Sequence, residues 1–284
     1  MSTRTSELEC DVLPSLAGGR VPFVLVTGGK GGVGKTLLTA NLGVELARSG
    51  ARVLLVDLDL GLANLHVALR VSAPRTIEDV LLRRARLSDC VVDGPDGVRI
   101  LPASSGTVAM GRLDHAQRAR LFAALAVEAD GYDLILADSP AGIGPDVLAF
   151  AATAERVLLV TTPDPTALTD AYGLIKALAG FADERGHEVP TPEIVVNCAA
   201  SAEEAESVAR KLGSVCERFL SRSPNCAGWL PRSVEIARSA SEQRPFVRAA
   251  GESVAQHCVR RLAARLARLS AGTRRARVSR GHEA

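Results

Sequence analysis

Eight consecutive residues, Gly29-Lys30-Gly31-Gly32-Val33-Gly34-Lys35-Thr36, carry the parts needed to hold a polyphosphate. Glycines let the backbone curl until successive N–H groups face phosphate oxygens, and a helix opening directly after the loop adds the partial positive charge of its N-terminus. The spacing G-x-x-x-x-G-K-[ST] gives the last two residues defined duties: Lys35 reaches the β- and γ-phosphates, and the Thr36 hydroxyl binds Mg²⁺. A second lysine, Lys30, sits inside the glycine run, where Lys35 leaves it no evident duty. Carboxylates stand close by in the sequence logic. Asp57 and Asp59 follow the apolar run Val53-Leu54-Leu55-Val56, and alternation puts both on the same side of the chain. Asp138 closes another apolar run and is followed by Ser139-Pro140-Ala141-Gly142. One acid after a strand reads as a helix cap; three acids at two strand ends beside a phosphate loop argue against that reading. No Ser-His-Asp set is evident, and no His has a clear catalytic partner.

These residues need a scaffold that gathers strand ends at one edge. Short apolar runs at 23–27, 52–56, 98–101, 134–137, 157–161, 193–196 and 227–230 alternate with longer stretches of helical period, the pattern of repeated βαβ units. Most runs are apolar on both faces, which places them inside a parallel sheet covered by helices on both sides. The expected fold is therefore α/β and doubly wound, with a mostly parallel central sheet. Helix starts are marked by Thr76, by Asp114 with Gln117, and by Ser201 with Glu204. Further helices are expected over 37–48 and, after the turn bracketed by Pro163 and Pro165, over 166–181; 186–192 reads as a loop. We expect a flexible segment at 1–20, one P-loop domain at 21–270 and a disordered basic tail at 271–284.

Composition narrows the class. The chain has 284 residues, 47% hydrophobic and 23% charged, enough to bury one sizeable core. A net charge of +2 conceals an Arg-rich end, where residues 259–284 hold eight Arg against Glu283 alone. Six scattered cysteines form no C-x-x-C pair, which argues for reduced thiols and against a metal or disulfide framework. No apolar run is long enough for a signal peptide or a membrane span, so the reading is a cytoplasmic protein able to visit the inner face of a membrane.

The segment Lys30 to Thr36 resembles the deviant Walker A motif of the MinD/ParA family of P-loop ATPases. In that family the extra lysine reaches the partner's phosphates across a nucleotide-sandwich dimer, so the resemblance implies that Lys30 is catalytic in trans, that ATP and Mg²⁺ are the cofactors, and that an ATP-dependent homodimer forms. Asp57-x-Asp59-x-Gly61-Leu62-x-Asn64 is similar to the family's first switch, which implies that Asp59 orients the attacking water and Asp57 supports the magnesium shell. Asp138 to Gly142 is similar to its second switch, implying that Asp138 holds a magnesium-bound water and Gly142 senses the γ-phosphate. Asn197 matches the position whose amide recognises adenine, since an amide donates and accepts at once; Cys198 stands where the family often has Arg.

Within that family, Leu101 to Gly106, Ser139 to Ile143 and Thr161 to Tyr172 look like the FlhG (also called FleN) branch, which limits flagellar number and placement. This resemblance implies partners such as an SRP-type GTPase, a flagellar switch component or a transcription regulator. Residues 1–20 do not match the branch's Gln- and Arg-containing activation helix. The stripe Val259, Leu262, Leu266, Leu269, flanked by Arg, fits either a closing helix packed on the sheet or a helix lying on anionic lipid; we favour the packed helix. A MinD-like division-site regulator and a ParA-like DNA partitioner stay open, with DNA the weaker partner. An iron–sulfur carrier would need cysteines that are absent from the second switch.

Overall fold

Five strands carry the centre of the molecule: β1 (Phe23–Thr27), β2 (Val53–Asp57), β5 (Leu134–Asp138), β6 (Arg156–Thr161) and β7 (Glu193–Ala199). The computed structural model describes residues 21–104, 112–185 and 188–280, the side chains of 185 and 270–280 apart. Strands β3 (Val92–Asp93), β4 (Arg99–Leu101) and β8 (Cys226–Pro231) complete an eight-stranded sheet in the order β3-β4-β2-β5-β1-β6-β7-β8. All neighbouring pairs are parallel except β3 with β4.

Alternation along the strands divides the apolar residues into two cores. Phe23, Leu25, Leu54, Val56, Ile135, Ala137, Val157, Leu159, Ile194 and Val196 face one layer, where they meet helices α3 (Ile77–Leu81), α4 (His115–Glu128), α5 (Pro145–Thr153), α6 (Pro165–Arg185) and α7 (Ala202–Leu220). Val24, Val26, Leu55, Leu136, Leu158, Val160 and Val195 face the other, against α1 (Lys35–Arg48), α2 (Leu65–Ala68), α8 (Val234–Glu242) and α9 (Val254–Arg280). Strands apolar on both faces are stable only where both are covered, and each large side chain so buried contributes about 1.5–3 kcal/mol. Phe122 of α4 stands edge-on to Phe23 at 5.6 Å and packs on Phe150 of α5 at 5.7 Å, anchoring that layer.

The expected strands are all present, and β3 is an addition: a two-residue antiparallel edge that no period could signal. Asp114 and Gln117 close a reciprocal capping box, and so do Thr76 and Asp79. Ser201 accepts from Glu204 N, while Glu204 itself reaches Ala200 N. The Arg-flanked stripe of α9 belongs to the core: Val259, Leu262 and Leu266 are buried, and Leu269 packs against the same layer. Arg260 lies 3.5 Å from Glu45 and Arg265 lies 2.5 Å from Glu193, tying α9 to α1 and β7. The helix runs on to Arg280. The segments 1–20 and 281–284, Ser105 and Gly106, and residues 186–187 lie outside the described residues. Cys90, Cys198, Cys216, Cys226 and Cys258 are all free thiols. Among the described residues no helix is long and apolar enough to cross a membrane.

Candidate nucleotide and metal site

The parallel order brings the carboxyl ends of β1, β2, β5, β6 and β7 to one edge of the sheet. Asp57 and Asp138 are direct partners in the β2–β5 register, and Val26, two residues before Gly28, pairs with Asp138. The loop after β1 is held from three sides. Gly142 N donates to Gly28 O at 3.0 Å, which fastens the second switch segment to the loop's entry. Gly29 sits on the backbone of α6, where an added Cβ would come within 2.2 Å of the Asp170 carbonyl oxygen. Gly34, with φ 99°, caps α1 in the left-handed region, and a Cβ there would meet Asn197 Nδ2 at 2.2 Å.

Asn197 is thus brought to the loop, and its amide is engaged there. Nδ2 donates to Val33 O at 2.8 Å, while Oδ1 accepts from Cys198 N at 2.8 Å. Cys198 takes φ 56°, an uncommon backbone for a residue other than glycine, at a register shift between β7 and β8. An amide has a second hydrogen and a second lone pair, so a purine edge can still be met.

Lys35 is 8% exposed and its ammonium is held below the usual lysine range by burial, against the pull of Asp138 and Asp59. Thr36 Oγ1 donates to Asp138 Oδ2 at 2.5 Å, and Thr39, one turn on, approaches Oδ1 at 3.4 Å. Burial pushes the Asp138 carboxyl up to about 7; Asp59 adds repulsion, and the Thr36 hydrogen bond and Lys35 oppose it. Burial and then Asp138 likewise raise Asp57, against the backbone N–H groups that it accepts. Its Oδ1 takes Asp59 N at 3.2 Å, and its Oδ2 takes Asn64 N at 3.1 Å and Leu65 N at 3.0 Å. Asp57 therefore folds the first switch segment into a turn around its carboxylate. Asp59 sits at the rim, where Oδ1 accepts from Leu62 N at 3.1 Å.

Two buried carboxylates, a third at the rim and one depressed ammonium make a site short of positive charge. A magnesium ion fits that imbalance. Among the described residues no group of three His, Cys, Asp or Glu side chains could hold an ion by itself. Magnesium takes one or two protein ligands and completes its shell with water and ligand oxygens. Thr36 could be such a ligand, and Asp138, which accepts from its hydroxyl, could hold a water of the shell.

Lys30 points away from this cluster: its Nζ donates to Thr166 Oγ1, 2.5 Å away at the start of α6. Sequence reasoning missed Thr166 and Thr39. Thr39 had a local signal, three residues after Thr36 on one face of α1; Thr166 had none beyond the turn at Pro163 and Pro165.

Comparison with known proteins agrees with this geometry. Residues 24–247 match the family model for the CobQ/CobB/MinD/ParA nucleotide binding domain. The antiactivator FleN of Pseudomonas aeruginosa is 42% identical over 224 residues, which are 79% of this chain and 78% of that protein. The flagellum site-determining protein YlxH of Helicobacter pylori is 36% identical over 166 residues, 58% of this chain and 56% of that one. Among solved structures, the septum site-determining protein MinD of Pyrococcus horikoshii, complexed with Mg-ADP, superposes with a TM-score of 0.70 at 26% identity, covering 89% of this chain and 98% of that chain.

Proposed function

We propose, from the premise that this chain belongs to the CobQ/CobB/MinD/ParA nucleotide-binding family, that it is an Mg-ATP-dependent dimerisation switch governing the number or placement of flagella. The observation that carries the ATPase part is the convergence of Lys35, Thr36, Asp138, Asp57 and Asp59 on one sheet edge beside the glycine loop. The flagellar part is supported by the 42% identity to FleN over most of both chains.

In this reading the N–H groups of the Gly29 to Thr36 loop and the Lys35 ammonium bind the phosphates, and Asn197 meets adenine with its spare amide capacity. Bound magnesium would neutralise charge that builds on the phosphate oxygens. Thr36 would hold that ion directly and Asp138 through a water of its shell, with Asp57 supporting its surroundings through the turn it organises. Asp59 orients water toward the γ-phosphate, and Gly142 reports on that phosphate through its bond to Gly28. Lys30 acts on the nucleotide of a second copy, so that two triphosphates face each other without net repulsion. Such a reaction depends on positioning by a dimer that must first form, so turnover is slow.

Residues 21–270 would form the ATPase domain. FleN is named an antiactivator, which favours a transcription regulator as partner over an SRP-type GTPase or a switch component. Membrane contact, if made, would be electrostatic through the exposed Arg261 and Arg268 of α9, because its apolar stripe lies in the core. A MinD-like role at the division site is the second reading, favoured by the likeness to MinD structures. Deleting the gene in the source organism and counting flagella separates the two. Extra or misplaced flagella support the first, and normal flagella with misplaced septa would replace it with the second.

A further inference from the structure

Strand β8 ends the sheet, and among the described residues no further strand pairs with its outer side. An open edge presents a row of backbone N–H and C=O groups, which folded proteins usually guard with charged side chains or proline. The run Cys226-Ala227-Gly228-Trp229-Leu230-Pro231 has no charge, and its proline stands only at the end. Cys226 to Trp229 are half-buried and form the floor of a groove of about 310 Å³. Helix α7 supplies one wall, with Ala205 and the exposed Glu206; α9 supplies the other, with the exposed His257 and Arg261. Gly228 lets α9 close down on the strand, since a Cβ there would meet Leu262 at 2.9 Å. The Cys226 thiol lies 3.6 Å from Gly228 O, a weak donor that a backbone N–H would displace. Burial raises the Cys226 and Cys258 thiols, so they line the groove without being reactive.

We propose that this groove binds an extended peptide of a partner protein, which adds a strand to β8 with acidic side chains toward α9 and a basic one between them toward α7. A strand bound there hydrogen-bonds to the open edge and points successive side chains at opposite walls. His257 and Arg261 are four residues apart on α9, about 6 Å along its axis. Side chains two apart on a strand are separated by about 6.6 Å. An acid–base–acid run therefore sets both acids against His257 and Arg261, and the base against Glu206. A second copy of this chain does not meet that charge pattern. Two β8 edges would pair antiparallel about an axis normal to the sheet, which sets α7 on α7 and α9 on α9. Glu206 would then face Glu206, and Arg261 would face Arg261.

The experiment uses the full chain without nucleotide, so that its failure leaves the ATPase reading untouched. Trp229, the one tryptophan of the chain, lies in the groove floor and reports binding by its fluorescence. The probe is the peptide acetyl-Val-Glu-Lys-Glu-Val-Thr-amide, which should give a saturable Trp229 response and slow hydrogen exchange of the β8 amides. N-methylation of alternate residues should abolish binding in one of the two alternating sets and be tolerated in the other, because only one set of N–H groups faces the edge. Arg261→Glu should weaken the probe by about four- to twenty-five-fold, loss of an exposed attraction and gain of a like repulsion each counting about two- to fivefold. Glu206→Lys, on the opposite wall, should weaken it as well. The charge-inverted peptide acetyl-Val-Lys-Glu-Lys-Val-Thr-amide should bind the wild type less tightly and Arg261→Glu more tightly. No saturable response up to millimolar probe, or equal binding of both peptides by the wild type, would overturn the proposal. Protection of the β8 amides in a peptide-free dimer would overturn it too, by giving the groove to a second copy.

Discussion

Replacing Asp138 by Asn should make the nucleotide-free protein more stable at alkaline pH, although Asp138 lies at the centre of the site. The carboxyl is fully enclosed between β1 and β2, and burial raises it from 3.8 to about 7. A raised acid stabilises the fold below its unfolded value, and that contribution is lost as pH rises through the folded value. With magnesium chelated, wild-type stability should therefore fall between about pH 4 and pH 8. The gap from 3.8 to about 7 corresponds to about 4 kcal/mol. Asn keeps an oxygen for Thr36 Oγ1 and turns its N–H₂ toward Thr39 Oγ1, an imperfect fit that we set at half of the gain. The expected net is about 2 kcal/mol at pH 8, or about 4 °C in melting temperature for a chain of this size. At about pH 5.5 the two stabilities should cross, because there the protonated wild type has recovered about half of that 4 kcal/mol. Thermal melts in EDTA from pH 5 to 8 read this directly. A variant no more stable than wild type at pH 8, or a wild type whose stability is flat across that range, would refute the electrostatic account. Adding Mg-ATP should then stabilise the wild type more than the variant, by mass action on the state that binds it.

The opposite sign is expected at the neighbouring acid. Asp57→Ala removes every acceptor offered to three backbone N–H groups, and should cost about 1–3 kcal/mol in urea unfolding at pH 7; a neutral effect would mean that the first switch segment does not depend on that turn. Asn197→Ala releases Val33 O from its clamp and should weaken nucleotide binding by about tenfold in calorimetry, roughly 1.4 kcal/mol; unchanged affinity would exclude both the clamp and an adenine contact. Leu266→Ala should cost about 2–5 kcal/mol of stability, as a core truncation does; a loss of vesicle binding with stability intact would instead return the α9 stripe to the membrane.

Much of this arrangement was legible from residue order. The glycine loop, the two acids after β2 and the acid closing β5 are local patterns, and the apolar runs between them betray a sheet buried on both faces. Strand β3 was not legible, because Val92 and Asp93 gain their pairing only after Gly94 N closes a turn onto Val98 O. The position of Asp57 could be read, but its occupation by backbone N–H groups could not, since that depends on how residues 58–65 close around it. Asn197 and Val33 are 164 residues apart, and Lys30 and Thr166 are 136 apart. Contacts of that kind follow from which strands become neighbours, which is a property of the whole sheet.

Dimerisation driven by ATP is the central claim, and the light-scattering mass of Asp59→Ala tests it most directly, since loss of the water-orienting carboxylate should stop hydrolysis after the dimer forms. The account predicts monomer mass with Mg-ADP, dimer mass with Mg-ATP, and monomer mass again when Lys30→Ala is added to Asp59→Ala. A protein that keeps one mass in both nucleotides, or that dimerises without Lys30, would contradict it.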